Sequence, residues 1–392
     1  MYSLSVSIHT AMILFPIMAA FITIPYVLIH YHRFGSVVLF RAIIFYSFIL
    51  YLLCTYLLVV LPLPSFAEVA KLTRPSTQLV PFQFVNDIEM YTKFSVWTPG
   101  TYWDSFFSGA FLQVLYNILM FIPFGIYLRY YYRRNIFECV LLSFSLSLFF
   151  ELTQLTGLYG IYPRAYRLFD VDDLMLNTMG GIIGFIMEPC FVFLFPSKER
   201  LNEISYERGK RVSVIRRLFA ACIDWSILMV TAALMHTVYE PVSVFNVLLL
   251  NNIQSDVFYA AMVVIYFILG SYFMGGATIG KRVVRIKVVD KKGKKAGILQ
   301  YFVRYTILYG LFAPGAFYLL RLFQYINTDS VTRMDFAIGA FLMIVLAVFM
   351  ILFWGCMVIR IFIHGNLFLY EFASNTCEES VIPQPKKNKA MD

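Results

Sequence analysis

Between two long apolar segments the chain places Glu151, Asp170, Asp172 and Asp173 together with Arg164 and Arg167, in the run ELTQLTGLYGIYPRAYRLFDVDDLMLNTMGG. Charges beside hydrocarbon cost several kcal/mol unless they pair or face a wet cavity, which makes this run a functional-site candidate. Glu151 and Gln154 stand three apart and share a helical face, and Asp170, Asp173 and Asn177 follow an i, i+3, i+7 pattern on another. Asn117 lies across from them on an earlier apolar segment. Three chemistries are open. The arginines can neutralise two of the carboxylates and pin the loop. Arg164 and Arg167 can instead hold a phosphate or carboxylate while Glu151, Asp170 or Asp173 accept hydrogen bonds or a proton. Asp170, Asp172 and Asp173 with Glu151 also offer oxygen ligands to Mg²⁺ or Ca²⁺, though their spacing is not diagnostic.

Further along, Arg217 and Asp224 are seven residues apart on one helical face, with Asp224 inside an apolar segment. A carboxylate there calls for a partner, Arg217 or Arg304, or else marks an ion or proton path. No nucleophile elbow, zinc motif or phosphate-cradling glycine loop accompanies either group. The expectation is therefore a binding site without a catalytic residue, metal or cofactor.

The elements that must carry these residues are membrane helices. Hydrophobic residues make up 60% of the 392 and charged residues 14%, against roughly a quarter charged in soluble domains; mean hydropathy is +0.72. Nine apolar runs are long enough to cross a bilayer, near 11–30, 42–61, 108–128, 137–156, 174–195, 218–237, 257–275, 306–325 and 337–361. The eighth is interrupted by Pro314 and Gly315. The first lacks the basic flank and cleavage pattern of a signal peptide, so it is expected to be retained.

The net charge of +9 invites a nucleic-acid reading, but the positions of the charges argue for topology instead. With the N-terminus outside, inner loops hold 25 of the 32 Lys and Arg residues, as the positive-inside rule requires. The expected partners are membrane lipids, especially anionic inner-leaflet headgroups, and not nucleic acid. Six cysteines show no paired spacing, so neither a disulfide nor a zinc site is expected.

The fold class expected is thus an all-α integral membrane protein, a polytopic bundle of about nine transmembrane helices with N-terminus outside and C-terminus cytoplasmic. The outer loop 62–107, rich in Pro, Trp and Phe, is expected to form a structured cap. The β-branched residues around Asp290-Lys-Lys-Gly293 predict a small cytoplasmic β-hairpin near 282–300. Four parts follow: a membrane domain over 1–196, a basic cytoplasmic linker over 197–212, a second membrane domain over 213–376, and a disordered cytoplasmic tail over 377–392. The pattern Gly180-x-x-x-Gly184 predicts a close helix approach in the first domain.

Two resemblances are carried by these residues. Asn117-Ile-Leu-Met-Phe-Ile-Pro-Phe-Gly125, Glu151-Leu-Thr-Gln154 and Arg167 through Asp172-Asp173-Leu-Met-Leu-Asn177-Thr-Met-Gly-Gly resemble the VanZ family over about 40–195. That resemblance implies an integral membrane protein of Gram-positive bacteria, linked through the family's named member to low-level teicoplanin resistance. It maps the family's polar positions onto Asn117, Glu151, Gln154, Arg167, Asp170, Asp173 and Asn177. Arg217 through Asp224, Gly280 through Gly293, and Arg304 resemble the RDD family over about 212–376. Arg217 and Asp224 match that family's Arg and first Asp; the second Asp has no clear counterpart, Glu371 being nearest. The RDD resemblance implies a membrane module that supports transport.

The expected function is a multi-pass plasma-membrane protein that lowers susceptibility to glycopeptide or lipoglycopeptide antibiotics. Its outer cluster would engage a cell-wall precursor or the antibiotic. The alternatives are an ion- or proton-coupled transporter using Asp224, and an enzyme acting on a lipid headgroup.

Overall fold

A computed structural model describes residues 2–92, 97, 98, 101–193, 195–238, 253–327, 332–363 and 368–383. Among these, eight helices are long and apolar enough to cross a membrane. A bent pair, Ile298–Phe312 and Phe317–Ile326, meeting at 48° across the Pro314-Gly315 break, makes a ninth if counted as one span. The chain is an all-α polytopic membrane protein. It divides into two compact units, Met1–Ile24 with Val38–Leu201, and Pro25–Val37 with Asn202–Asp392.

The first unit contains most of α1 (Tyr2–Phe34), then α2 (Leu39–Val60), α3 (Phe66–Ala70), β1 (Thr77–Gln78), α4 (Gln83–Thr92), α5 (Thr101–Phe106), α6 (Gly109–Tyr130) and α7 (Ile136–Leu155). A one-turn segment α8 (Gly157–Gly160), β2 (Phe169–Asp170) and α9 (Val171–Val192) complete it, with the start of α10 (Lys198–Gly209). Local signals explain where the long helices begin. Ser108 caps α6 through the Phe111 amide, Asn135 and Glu138 form a capping box at α7, and Asp170 caps α9 through the Asp172 amide. Asp172 and Asp173 fall in the first turn of α9, where their charge suits the positive end of the helix dipole.

Helices α6 and α9 pack backbone to backbone. A Cβ at Gly180 would collide with the Ile118 carbonyl, one at Gly184 with the Ile122 carbonyl, and one at Gly125 with the Gly181 carbonyl. The small-residue pattern thus does what its spacing predicts. Phe48, Phe121, Phe124, Leu128, Cys139 and Phe150 fill the adjoining core. Within 62–107, the described residues form α3, β1 and α4 and α5, and β1 pairs in parallel with β2, Gln78 opposite Asp170.

In the second unit α11 (Val214–Val238) packs beside Ile253–Phe273, whose middle turns, Val263–Leu269, are π-helical. The helix from Ile298 likewise passes into a π-helical stretch at Thr306–Phe312. Such bulges mark places where a helix accommodates an inserted residue. Here they face a shared aromatic core in which Phe267 and Tyr309 lie 4.2 Å apart and Trp225 stacks on Tyr259 at 5.5 Å. The long helix Arg333–Ile363 and a short one, Leu369–Ala373, lead to the C-terminal strand.

Two expectations are corrected here. The β-branched run does form a strand, β3 (Ile286–Asp290), and turns at Asp290–Lys294. The hairpin itself, however, is only a single bridge, Val289 opposite Lys295. The extended partner of β3 is β4 (Thr376–Ser380), antiparallel, Ile286 opposite Ser380 and Asp290 opposite Thr376. The tail is therefore ordered where disorder was expected from residue 377, because its first residues complete a sheet and bury Glu378; residues 384–392 lie outside the described residues. The 197–212 segment carries α10 over most of its length, and the Lys198 ammonium bonds the Tyr131 carbonyl at 3.0 Å.

Candidate functional site

In the first unit, backbone groups hold the charges. Glu151, buried on α7, accepts the Asp170 amide at 3.0 Å. Asp172 takes two amides at the start of α4, Phe82 at 2.7 Å and Phe84 at 2.9 Å, tying the 62–107 loop to α9. Asp173 accepts from the Asn117 side chain, joining α9 to α6. Asn177 donates to Ser147 at 2.8 Å, and Ser147 donates to the Asp173 carbonyl at 3.4 Å. Gln78 approaches Asp170 at 3.5 Å. Burial pushes the Asp170 carboxyl up, against the lowering effect of the Asp172 amide.

The arginines do not meet these carboxylates. Arg167 donates to the Val59 carbonyl at 2.7 Å and the Leu61 carbonyl at 2.9 Å, where Gln154 also bonds Val59 at 2.9 Å. Those are the carbonyls left open at the C-terminus of α2, the negative end of its dipole. Arg164 donates to the Leu72 carbonyl and, at 2.8 Å, to that of Arg74. Among the described residues no ion pair joins Arg164 or Arg167 to an acid. The expected pairing of these arginines with the acids is therefore not formed among the described residues: the terminal nitrogens of each donate to carbonyls of a remote segment.

What the carboxylates do face is a cavity of about 180 Å³ lined by Asp87, Asp170, Asp172, Asp173 and Gln113 with a few apolar residues. Glu151 and Asn117 brace it from behind. Among the described residues no group of three or more His, Cys, Asp or Glu is arranged to hold a metal ion. Asp172 spends both oxygens on amides, so the Asp-x-Asp-Asp order does not converge on a point.

The second unit buries its charges against one another. Glu378 on β4 meets Arg304 at 2.7 Å, Arg217 at 3.0 Å and Lys281 at 3.2 Å; Glu371 meets Arg217 at 2.9 Å and Arg304 at 3.4 Å. Arg304 and Glu371 are fully buried. Burial alone would raise the Glu378 carboxyl, but Lys281, Arg217 and Arg304 hold it well below the usual carboxylate range. Asp224, also buried, accepts from Tyr266 and Thr278 at 2.6 Å each and from the Gly280 amide at 2.7 Å. Its expected partnership with Arg217 or Arg304 is not formed, because Glu371 and Glu378 take both arginines.

Residues 48–194 match the family model of VanZ/LLP1, and residues 211–359 match that of the RDD family. The chain carries a VanZ-like and an RDD region in tandem. No curated protein and no solved structure matches it. Within the VanZ-like region the structure brings together Asn117, Glu151, Asp170, Asp172, Asp173 and Asn177 around α9, while Gln154, Arg164 and Arg167 serve the carbonyls of the α2 end and the loop that follows. In the RDD region Arg217 and Arg304 meet, with Asp224 held apart. Glu371, which pairs with Arg217, lies beyond the matched residues.

Three residues of these clusters were missed by sequence reasoning. Asp87 looked like one polar residue of a loop, and only the fold of α4 turns it to the cavity. Lys281 and Glu378 were counted as a surface charge and a tail residue. The adjacent acids Glu378 and Glu379, opposite a basic strand segment, were the available signal. Arg216, beside the motif arginine, is likewise fully buried, bonding the Val284 and Arg285 carbonyls at 2.7 Å each.

Proposed function

We propose that this multi-pass membrane protein resides in the plasma membrane and lowers susceptibility to glycopeptide or lipoglycopeptide antibiotics of the teicoplanin type. In this reading its VanZ-like region holds an envelope ligand, a cell-wall precursor or the antibiotic itself. The observation that carries the reading is the cavity bounded by Asp87, Asp170, Asp172 and Asp173, whose neighbouring arginines are committed elsewhere. A site with that field selects a cationic group, such as an ammonium, rather than the phosphate or carboxylate that the arginines suggested. The distribution of Lys and Arg over the loops supports an outward-facing cavity.

The test is the teicoplanin inhibitory concentration of a deletion strain complemented with wild type, Asp87→Asn or Asp173→Asn. The reading expects deletion to lower it, wild type to restore it, and both variants to fail while reaching wild-type membrane levels. Full restoration by both variants would remove the cavity from the mechanism, and an unchanged deletion strain would remove the resistance role.

A second reading is favoured by Asp224, a buried carboxylate whose hydrogen-bond donors among the described residues are neutral. It makes the RDD region an ion- or proton-coupled transporter. Loss of pH-dependent flux in vesicles on Asp224→Asn is its expected outcome, and unchanged flux would refute it.

A further inference from the structure

The last turn of α1 carries His32 and Arg33, two and one residues before the end of a membrane-crossing stretch that closes at Phe34. Leu28 and Ile29 stand one turn earlier, about 6 Å deeper along the helix axis. Within the second unit these four residues form one wall of an open cavity of about 540 Å³, its other walls being Tyr206, Val283, Arg285 and Pro383. The lining is therefore apolar at the depth of lipid chains and basic at the depth of headgroups.

The basic groups are available. Among the described residues neither Arg33 nor Arg285 forms an ion pair with a carboxylate. Arg33 is exposed, its guanidinium carbon 5.2 Å from the Phe34 ring centre. Among the described residues the Arg285 guanidinium bonds the His32 ring at 3.1 Å through one terminal nitrogen, and its Nε is buried with no hydrogen-bond partner. His32 is oriented in turn by the Val283 carbonyl at 2.8 Å. A buried guanidinium N–H without an acceptor is costly, and an anionic oxygen entering the cavity would relieve that cost.

The site is also built rather than incidental. Arg285 adopts a left-handed backbone, φ 57°. It is fixed there because its carbonyl accepts from Arg216 at 2.7 Å and from the Val381 amide at 2.8 Å. Tyr31, Val284 and Ile286, the chain neighbours of His32 and Arg285, are buried together in one apolar cluster.

We propose that this cavity binds one anionic phospholipid from the leaflet at the Phe34 end of α1, its phosphate between Arg33 and Arg285 and its chain against Leu28 and Ile29. Charge complementarity selects the occupant: two unpaired arginines above an apolar wall fit a phosphate carried on an acyl chain, and a neutral apolar guest would leave both unmatched.

The experiment is native mass spectrometry of the full-length protein released from detergent containing equal amounts of phosphatidylglycerol and phosphatidylcholine with identical chains. The wild type is expected to retain one phosphatidylglycerol preferentially, with the preference falling about fivefold for Arg33→Gln and again for Arg285→Gln. Arg285→Lys keeps charge and should retain most of it, and Arg282→Gln, a neighbouring exposed arginine, should change nothing. Arg33 is exposed, so its replacement tests the site without threatening the fold. Equal retention of the two lipids, an undiminished preference in Arg33→Gln, or displacement by soluble glycerol phosphate at the same concentration as by lipid would each overturn the proposal.

Discussion

Adjacent residues on β4 offer a controlled perturbation of the buried charge cluster. Glu378 points inward to three cations, whereas Glu379 points outward and pairs with Lys287 at 3.1 Å, both side chains well exposed. At an effective dielectric near 20, each of the three contacts near 3 Å carries about 5 kcal/mol of attraction, against several kcal/mol of desolvation per ion. Glu378→Gln leaves Arg217, Arg304 and Lys281 facing Glu371 alone, and removing one member of a buried set of this kind costs about 3–5 kcal/mol. Glu379→Gln breaks a solvated pair, worth about 0–1 kcal/mol. The assay is equilibrium unfolding of the purified full-length protein in mixed micelles, with Glu378→Gln, Glu379→Gln and wild type compared across pH.

The pH dependence has a definite sign. The folded-state carboxyl of Glu378 lies below its ordinary value of 4.5, so its stabilisation is fully present above that value and is lost as pH falls toward the folded one. The gap between the two variants should stay constant from pH 8 to about 5 and close only in more acidic solution. Equal, small effects of both substitutions would refute the buried network, and a gap that closes near neutrality would refute its charge state.

Three further outcomes follow from the packing and the caps. Gly184→Leu drives a side chain into the Ile122 carbonyl and should destabilise the α6–α9 contact by about 1–3 kcal/mol, read as a lower midpoint in the same unfolding assay. Asp172→Ala removes the acceptor of the Phe82 and Phe84 amides, and hydrogen exchange over residues 82–92 should accelerate while that of α7 does not, a cost of about 1–3 kcal/mol for the bonds lost. Asp224→Asn exchanges one of two acceptor oxygens for a donor facing the Tyr266 or Thr278 hydroxyl; its midpoint should fall, and Asp224→Ala, which strands all three donors, should fall further.

The helices were legible because apolar length is a strong signal: the spans predicted near 108–128, 137–156 and 174–195 match α6, α7 and α9 within a few residues. Gly180 and Gly184 announced the tight contact, and Asn117 was placed across from the group Asp170, Asp173 and Asn177; its bond to Asp173 came only with the structure. The site's electrostatics were not legible. Arg164 and Arg167 stand beside acids in sequence, and opposite charges close together suggest pairing. Their partners are carbonyls at 59, 61, 72 and 74, about a hundred residues away, and a backbone acceptor leaves no mark on the sequence. The β3–β4 sheet was missed for a related reason. Strand β4 is five residues long and polar, and only its long-range pairing with β3 makes it a strand.

The two regions therefore keep charge near hydrocarbon in different ways, and the difference is measurable as coupling. In the VanZ-like region two charged groups of the site are each satisfied by main-chain groups of their own: Arg167 by Val59 and Leu61, Asp172 by Phe82 and Phe84. They share no partner, so the costs of Arg167→Ala and Asp172→Ala should add within about 0.5 kcal/mol. In the RDD region Glu371 and Glu378 share both Arg217 and Arg304. Losing the first acid leaves the other still compensating both arginines, but losing both strands two guanidiniums and the Lys281 ammonium together. The double variant Glu371→Gln with Glu378→Gln should then differ from the sum of the singles by about 1–3 kcal/mol on the destabilising side. Additivity in the RDD pair would mean that the arginines find water or other acceptors once one acid is gone. Strong coupling in the VanZ-like pair would mean that Arg167 and Asp172 communicate through the loop between them, and that the cavity is braced as one piece.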